Sequence, residues 1–565
     1  MPNNRIFKFF LVLFAYFLFS IYAFSNNLQI SNITLVNKNT INQTVFVRFD
    51  ISWENSWRLT NPPSNWDAAW IFIKYRVNGG LWMHATLSDL DSDHIVPGTA
   101  TVDAAEDGKG IFIYRSNTGS GNNFWESIQF KWLYGNDGIS DNTNNIEVKV
   151  FGIEMVYVNA GSFYIGDGLD TQKRFWDARA INPEPLYGLI GSNPVLLRVI
   201  PNDIDDDAIE TTGILVDGDN GIDTLGNTEP NNTTFPTGYN AYYCMKYEIS
   251  QQQYVEFLNT LTRVQQDRRV YRDLSGIEIT NPFAMSHLNG VERRNGVYAV
   301  NTSNDTQSPV TFYCNNDTTG NNINLWNQST DGQNIACNYI GWLDGTAYAD
   351  WAALRPMTEL EFEKACRGPE VPVAGEYAWH NTNIMSSGLY TFSASTLNTA
   401  LESVLNPSTN GITGNAAYDI TTGHLNLHPG SVNGPLRNGI FATSSTNRIS
   451  AGASFYGIME LSGNLNERCI TIGNVQGRKF GGSHGDGILE TTSGCEGNAN
   501  NPDWPGILIN RETIGVNIVV NGSGYRGGDW NDNDSRLQVS ERYYAGVDPF
   551  GPNVGAGFRC VRTVD

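Results

Sequence analysis

No cysteine precedes Cys244 in this 565-residue chain, and all seven fall between there and Cys560. The first part therefore cannot be stapled by disulfides, and it reads as a unit separate from the rest. Cationic side chains are scarce as well: 36 Lys and Arg stand against 58 Asp and Glu, for a formal charge of −22 and a pI ≈ 4.7. Neutralising phosphates needs clustered Lys and Arg, so nucleic acid and anionic membrane are excluded as partners. Long apolar runs are missing after the N-terminus, which excludes a later membrane-spanning helix. Helical periodicity is missing from Leu28 to Val150, which excludes a helical first domain.

What is present begins with Arg5, Lys8 and the apolar run Phe9 to Phe24, closed by Ala23-Phe24-Ser25. This is the layout of a cleavable secretory signal, with the mature chain starting near Asn26. The run is shorter than the roughly 20 residues a spanning helix needs. The expected location is outside the cell or on its outer surface, with the periplasm as the other compartment open to it. Seven cysteines suit such an oxidising compartment, as up to three disulfides and one thiol. The length calls for at least two domains.

From Leu28 to Val150, "VFVRFDISW", "AWIFIKYRV", "GIFIYRS" and "IQFKWLY" are runs of β-branched and aromatic residues, separated by turn clusters such as Asn78-Gly79-Gly80. The pattern predicts an all-β sandwich over residues 26–152, after a signal peptide over 1–25. Trp53, Trp57, Trp66, Trp70, Trp82, Trp125 and Trp132 lie in this unit; most fit a core, while any exposed ones could stack on sugars. A second unit over 153–565 opens with "EMVYVNAGSFYIGDG" and carries an acidic insertion. Asp217, Asp219 and Asp223 there could bind calcium, but the helix-loop-helix spacing is absent and a solvated loop is the plainer reading. Ser250 is placed to cap a helix with Tyr254, Phe257, Leu258 and Leu261 on one face. Asp344 could cap a short helix ended by Pro356, and Thr358 with Glu361 forms a capping box for another that stops at Gly368.

Four stretches occur in order: "MVYVNAGSFYIGD", "YEISQQQYVEFLN", "LRPMTELEFEKACRG", and "YGIMELSGNLNE" followed by "RGGDWN…GFRC". In these residues the chain resembles the sulfatase-modifying-factor family, whose founder is the formylglycine-generating enzyme. The resemblance implies an α+β chain, in which the all-β sandwich precedes a loop-rich, C-type-lectin-like domain with insertions. The founder oxidises a sulfatase cysteine with O₂, using copper held by two thiolates after the "RGG" turn. Other members are iron sulfoxide synthases or gliding-motility lipoproteins.

Laid on that pattern, the two thiolate positions fall near Asp532 and Leu537, and no cysteine lies between Cys495 and Cys560. Cu(I) needs soft thiolate ligands, so no copper is expected. The iron pattern is matched only by His424 and His428, which an extended segment would hold about 13 Å apart. The resemblance also implies a disulfide between Cys366 and Cys560, worth about 4 to 5 kcal/mol by loop-closure entropy. Proximity in sequence would pair Cys314 with Cys337 and Cys469 with Cys495, leaving Cys244 odd. By the same resemblance Asn464 and Glu467 bind structural calcium, together with backbone carbonyls. Trp530, Arg536, Arg542, Tyr543 and Arg559 could line a ligand pocket, although holding irregular loops together is the commoner job of such arginines. The expected function is an exported, non-catalytic binding or assembly protein that offers a calcium- and disulfide-stabilised surface to a protein or glycan partner, or to itself. The competing reading is a metal-dependent oxidase with other ligands, such as His484, Asp486 and Asp529.

Overall fold

The computed structural model describes residues 27–167, 234–279, 282–285, 293–316, 330–420, 432–472, 475–507, 522–545 and 552–564, single positions 291 and 328, and short strands between 175 and 224. Residues 1–26, where a secretory signal is expected, lie outside the described residues, among which no helix is long and apolar enough to cross a membrane.

The first part forms β1 (Gln29–Asn39), β2 (Thr44–Arg58), β3 (Asp67–Val77), β4 (Met83–His84), β5 (Ala100–Ala104), β6 (Ile111–Arg115), β7 (Gly119–Trp132) and β8 (Ile146–Val158). Short strands follow: β9 (Phe163–Ile165), β10 (Phe175–Asp177), β11 (Gly188–Ile190), β12 (Val195–Val199), β13 (Ile214–Val216) and β14 (Ile222–Thr224). The rest holds β15 (Tyr242–Met245), β16 (Val297–Val300), β17 (Thr311–Cys314), β18 (Arg355–Thr358), β19 (Glu467–Ile470), β20 (Ser523–Arg526) and β21 (Cys560–Thr563). Its helices are α1 (Gln251–Leu258), α2 (Arg263–Arg268), α3 (Trp342–Trp351), α4 (Glu359–Arg367) and α5 (Val475–Arg478). The chain is thus a mixed α+β protein.

One sheet of ten strands runs through both parts in the order β20-β19-β18-β21-β15-β8-β3-β6-β5, with β4 beside β3. Strand β8 is the join. It pairs with β3 from Ile146 to Val156 and with β15 from Met155 to Val158. The boundary read between residues 152 and 153 therefore falls inside a strand, and the first part shares its long sheet with the rest. Gly152, which resembles a break in sequence, instead admits a close approach: a Cβ there would lie 2.7 Å from Leu28.

Strand β3 is buried on both faces, and its alternation explains why. Ala69, Ile71, Ile73 and Tyr75 meet Val47, Phe49, Ile51 and Trp53 of β2 and Ile128, Phe130 and Trp132 of β7. The three-stranded sheet β1-β2-β7 thus covers one face of the long sheet. Ala68, Trp70 and Phe72 point the other way, into a core shared with Tyr254 and Phe257 of α1 and Tyr348 and Trp351 of α3. Trp53, Trp70 and Trp132 are fully buried, Trp125 nearly so, and Trp66 stacks on Tyr157. Trp82 is partly covered by Arg76 and Lys149. At the seam, the buried Asp67 carboxylate accepts from Trp53 Nε1, Ser56 Oγ and the Trp57 amide, and lies 3.7 Å from Lys246, which pairs with Glu154 at 3.0 Å. Burial alone would depress the Lys246 ammonium; Glu154, then Tyr247 and Asp67, outweigh it and raise it.

Ser250 caps α1 as the sequence predicts, though Leu261 lies beyond the helix end. Gly341, not Asp344, is the cap of α3, and Asp344 reaches back to the Gly341 amide from the first turn. The Thr358–Glu361 capping box opens α4, which ends at Gly368 with a positive φ. Helix α4 is buried all round, so its charges must be paired. Glu359 receives Arg542 through Nε (2.7 Å) and Nη2 (2.9 Å), and Arg526 at 3.1 Å. Arg526 also donates to Glu363 (2.7 Å), which Arg367 meets from the next turn at 3.2 Å, while Arg367 pairs further with Glu376. Glu361 holds Arg355 through both oxygens. Burial would raise the Glu359 carboxyl, but the Arg542 and Arg526 guanidiniums prevail and hold it below its ordinary value.

All seven cysteines are free thiols, so none of the three pairings read from the sequence is formed. Cys366 packs with Cys244, Cys469 and Val561, whereas Cys560 belongs to the core on the other face of β21. Successive strand residues point to opposite faces, which separates Cys366 from Cys560. Cys314 Sγ faces Gln252 and Cys337 Sγ faces Asn295. Cys469 is buried on β19 while Cys495 is half-exposed.

Two outcomes follow from this packing. Breaking a fully buried ion pair leaves a stranded charge, so Glu359→Gln should cost about 3–5 kcal/mol in a denaturant melt. Removing the exposed pair Arg76–Glu147 should, by contrast, leave the melt nearly unchanged; equal losses would show that the buried pairs around Glu359 matter no more than a surface pair. Thiol titration should find seven reactive groups in denaturant and rapid reaction at Cys495 alone before unfolding.

Candidate functional site

The segment after β20 is where family chemistry would sit. Gly527 and Gly528 both take positive φ (88° and 68°), turning the chain back under Leu461 and Leu537. Asp529 then accepts from Asn466 Nδ2 (2.6 Å) and from the Asn531 amide (2.7 Å), and its own amide donates to Asp532 at 3.2 Å. Burial, followed by the neighbouring Asp532 carboxyl, pushes Asp529 well above its ordinary value; burial raises Asp532 too. Such a pair can retain a proton at neutral pH, as two close buried carboxylates disfavour double ionisation. Asp532 lines a cavity of only ≈ 10 Å³ with Asn466, Arg536 and Tyr543, space for about one water.

Leu537, at the other expected thiolate position, is fully buried with Tyr377, Trp379, Ala416 and Tyr418. It ends a short 3₁₀ turn whose backbone carbonyl accepts from Ser462 Oγ at 2.8 Å. This position is part of the core. A carboxylic pair on one side and an alkyl side chain on the other do not fit Cu(I), which calls for neighbouring thiolates.

Of the five residues expected to line a pocket, three are internal fasteners. Arg542 is bound to Glu359. Arg559 donates to Glu467 (2.8 Å) and to the carbonyls of Met245 and Met459. Trp530 is buried and donates to the Val554 carbonyl at 3.0 Å. Only Arg536 and Tyr543 reach the small cavity; the guanidinium stacks at 3.5 Å over the Tyr543 ring and pairs with Glu541 at 2.7 Å.

At the expected calcium pair the side chains meet protein partners. Asn464 Oδ1 accepts from the Leu436 amide (2.7 Å), its Nδ2 donates to Glu248 (2.5 Å), and Glu467 Oε1 holds Arg559. Glu467 Oε2 has no partner, but calcium takes six to eight oxygens. Among the described residues no group of three His, Cys, Asp or Glu is gathered for a metal. Burial, then Glu467, raises Glu248 far above its ordinary value, and burial lifts Glu460 to about 7. The sequence reading missed Glu248 and Asn466, although both lie inside the quoted stretches "YEISQQQ" and "SGNLNE"; only the fold shows that they face Asn464 and Asp529.

The alternative ligand set is not assembled either. His484 Nε2 accepts from the Thr563 amide at 3.0 Å in a cavity of ≈ 290 Å³ with Arg355 and Glu361, and Asp529 lies in the separate site above. Burial holds the His484 imidazole well below its usual value and hence neutral. His424 and His428 lie outside the described residues, as do the side chains of Asp217, Asp219 and Asp223.

Because the Asn464 and Glu467 oxygens are engaged by protein donors, a chelator should move the melting temperature by less than about 2 °C. A drop well beyond that, restored by calcium, would show a cage these side chains do not reveal.

No curated protein matches the chain. The profile of the sulfatase-modifying factor enzyme 1-like domain matches residues 214–564, a span that contains the buried arginine–glutamate lattice, both glycines of the "RGG" turn and the Asp529–Asp532 site. On that match the chain belongs to the sulfatase-modifying factor family.

Proposed function

We propose that this protein is an exported, non-catalytic member of its family, working as a binding or assembly protein towards a protein, a glycan or a second copy of itself. One observation carries this reading: the side chain at one expected thiolate position, Leu537, is an integral part of an aromatic core. The ≈ 10 Å³ cavity beside Asp532 supports it, since a cysteine-bearing substrate could not enter so small a space. The fully buried Trp530, Arg542 and Arg559 support it further, because groups committed to carbonyls and carboxylates have no spare donors for a substrate. The N-terminal leader supports export, and the absence of clustered cationic residues favours neutral or cationic partners over nucleic acid.

A second reading has one observation in its favour, the buried Asp529–Asp532 carboxyl pair next to Arg536. One assay separates the two. The purified chain, supplied with Cu(I), O₂ and a cysteine-containing peptide, should give no aldehyde product above the protein-free control by mass spectrometry. Product formation that disappears in Asp532→Asn would overturn the non-catalytic reading in favour of an oxidase with non-standard ligands.

A further inference from the structure

A cleft of ≈ 510 Å³ opens where the end of β2 meets the loops between residues 442 and 459. Its floor and walls come from both parts of the chain: Trp57 and Pro63 on one side, Tyr247, Phe455, Tyr456 and Met459 on the other. Most of the lining surface is carbon, within the size band of small-molecule sites, which favour interfaces between domains. Neither the family match, which starts at residue 214, nor the Asp529–Asp532 site involves the Trp57 side of this cleft.

The walls are held before any ligand arrives. Asn65, fully buried, accepts from Trp57 Nε1 at 3.4 Å and donates to the Tyr456 carbonyl at 2.7 Å, bridging the two sides. Gly457 has φ +88°, and a Cβ there would lie 3.0 Å from the Trp57 ring, so glycine lets the indole lie against the loop. The Lys246 ammonium supports both the Trp57 and Tyr247 rings, at 4.9 and 5.3 Å from their centroids. That ammonium is not available to a ligand, because Glu154 and Asp67 already neutralise it. The cation that is available is Arg448. It lines the cleft and its Nη1 donates at 3.3 Å to the Ala453 carbonyl; Glu370 is near enough to act on its charge, but the two form no direct ion pair. A planar guanidinium with spare donors beside an aromatic floor matches a ligand that carries an apolar ring and one anionic group.

We propose that this cleft binds a small amphiphilic anion: an aromatic or similarly apolar body on Trp57, Phe455 and Tyr456, with a carboxylate, sulfate or sulfonate on Arg448. The same chemistry occurs in a free small molecule and in a peptide ending in an aromatic residue, and the size of the cleft admits either.

The test uses two fluorescent probes that differ only in charge, 8-anilinonaphthalene-1-sulfonate and uncharged N-phenyl-1-naphthylamine, titrated into the full mature chain. Both should bind saturably at one per chain, and Thr443→Trp at the mouth should block both. Arg448→Gln, a surface change, should weaken the sulfonate about tenfold while leaving the uncharged probe within about twofold. A free aromatic carboxylate and a short peptide with a C-terminal phenylalanine, used as competitors, identify the source by which displaces the sulfonate at lower concentration. Absence of saturable binding, or equal loss of both probes in Arg448→Gln, would overturn the assignment. Either result leaves the aldehyde assay untouched, so failure of the cleft and failure of the non-catalytic reading are told apart.

Discussion

The fold of the larger part depends on burying three glutamates of one helix. Glu359, Glu361 and Glu363 are each about fully buried on α4, and a carboxylate taken out of water without a partner costs several kcal/mol. Arginines resolve this from remote points in the chain: Arg355 beside the helix, Arg526 at the end of β20, and Arg542 beyond the Asp529–Asp532 turn. Each guanidinium places a loop at a fixed distance from α4. A region with few long ladders thereby gains defined positions, since every pairing error would strand a charge in the core. The lattice supplies specificity of arrangement more than net stability, because the ion pairs largely repay their own desolvation.

The second constraint is the shared sheet. Strand β8 hydrogen-bonds to β3 and β15 along one continuous run, so the N-terminal layer is docked by backbone ladders as well as by side chains. The Asp67–Lys246–Glu154 cluster sits where these ladders change partner. Glu154, then Tyr247 and Asp67, outweigh the burial that would otherwise depress the ammonium. The cluster also fixes the end of β2, since Asp67 holds the Ser56 hydroxyl and the Trp57 amide. The aromatic wall of the cleft is therefore set by the same charges that close the seam.

Much of this was legible in the residues. Period-two runs marked the strands, and the Thr358–Glu361 box marked α4 to its last residue, because such local chemistry acts within a single turn. The join at β8 was not legible: "VFGIEMVYV" contains Gly152, and sequence alone cannot tell a break from a glycine that admits Leu28. Cysteine connectivity was misread for a related reason, since the sheet face occupied by Cys560 depends on register, which spacing does not give. At the site, the sequence alone shows that Asp532 and Leu537 carry no thiol, while the surroundings of each come only from the fold. The engagement of Asn464 by Leu436 and Glu248 depends on residues far apart in sequence, and only the tertiary structure brings them together.

The placement of Leu537 explains how a member of this family can lack thiolates there without losing its fold. The segment that carries Leu537 is tied to the core by Arg526, which donates to the Val539 carbonyl, and by Arg542, which donates to Glu359. Once the segment is held independently, the two positions are free to follow packing. Leu537 fills space between Trp379 and Tyr418, and the gain from burying a leucine side chain, about 1.5–3 kcal/mol, is of the order that ordinary selection for stability acts on. Asp532 instead closes a turn with the Asp529 amide. Scaffold and side-chain identity at these two positions are thus separable, because the ion pairs that hold α4 are complete without either residue.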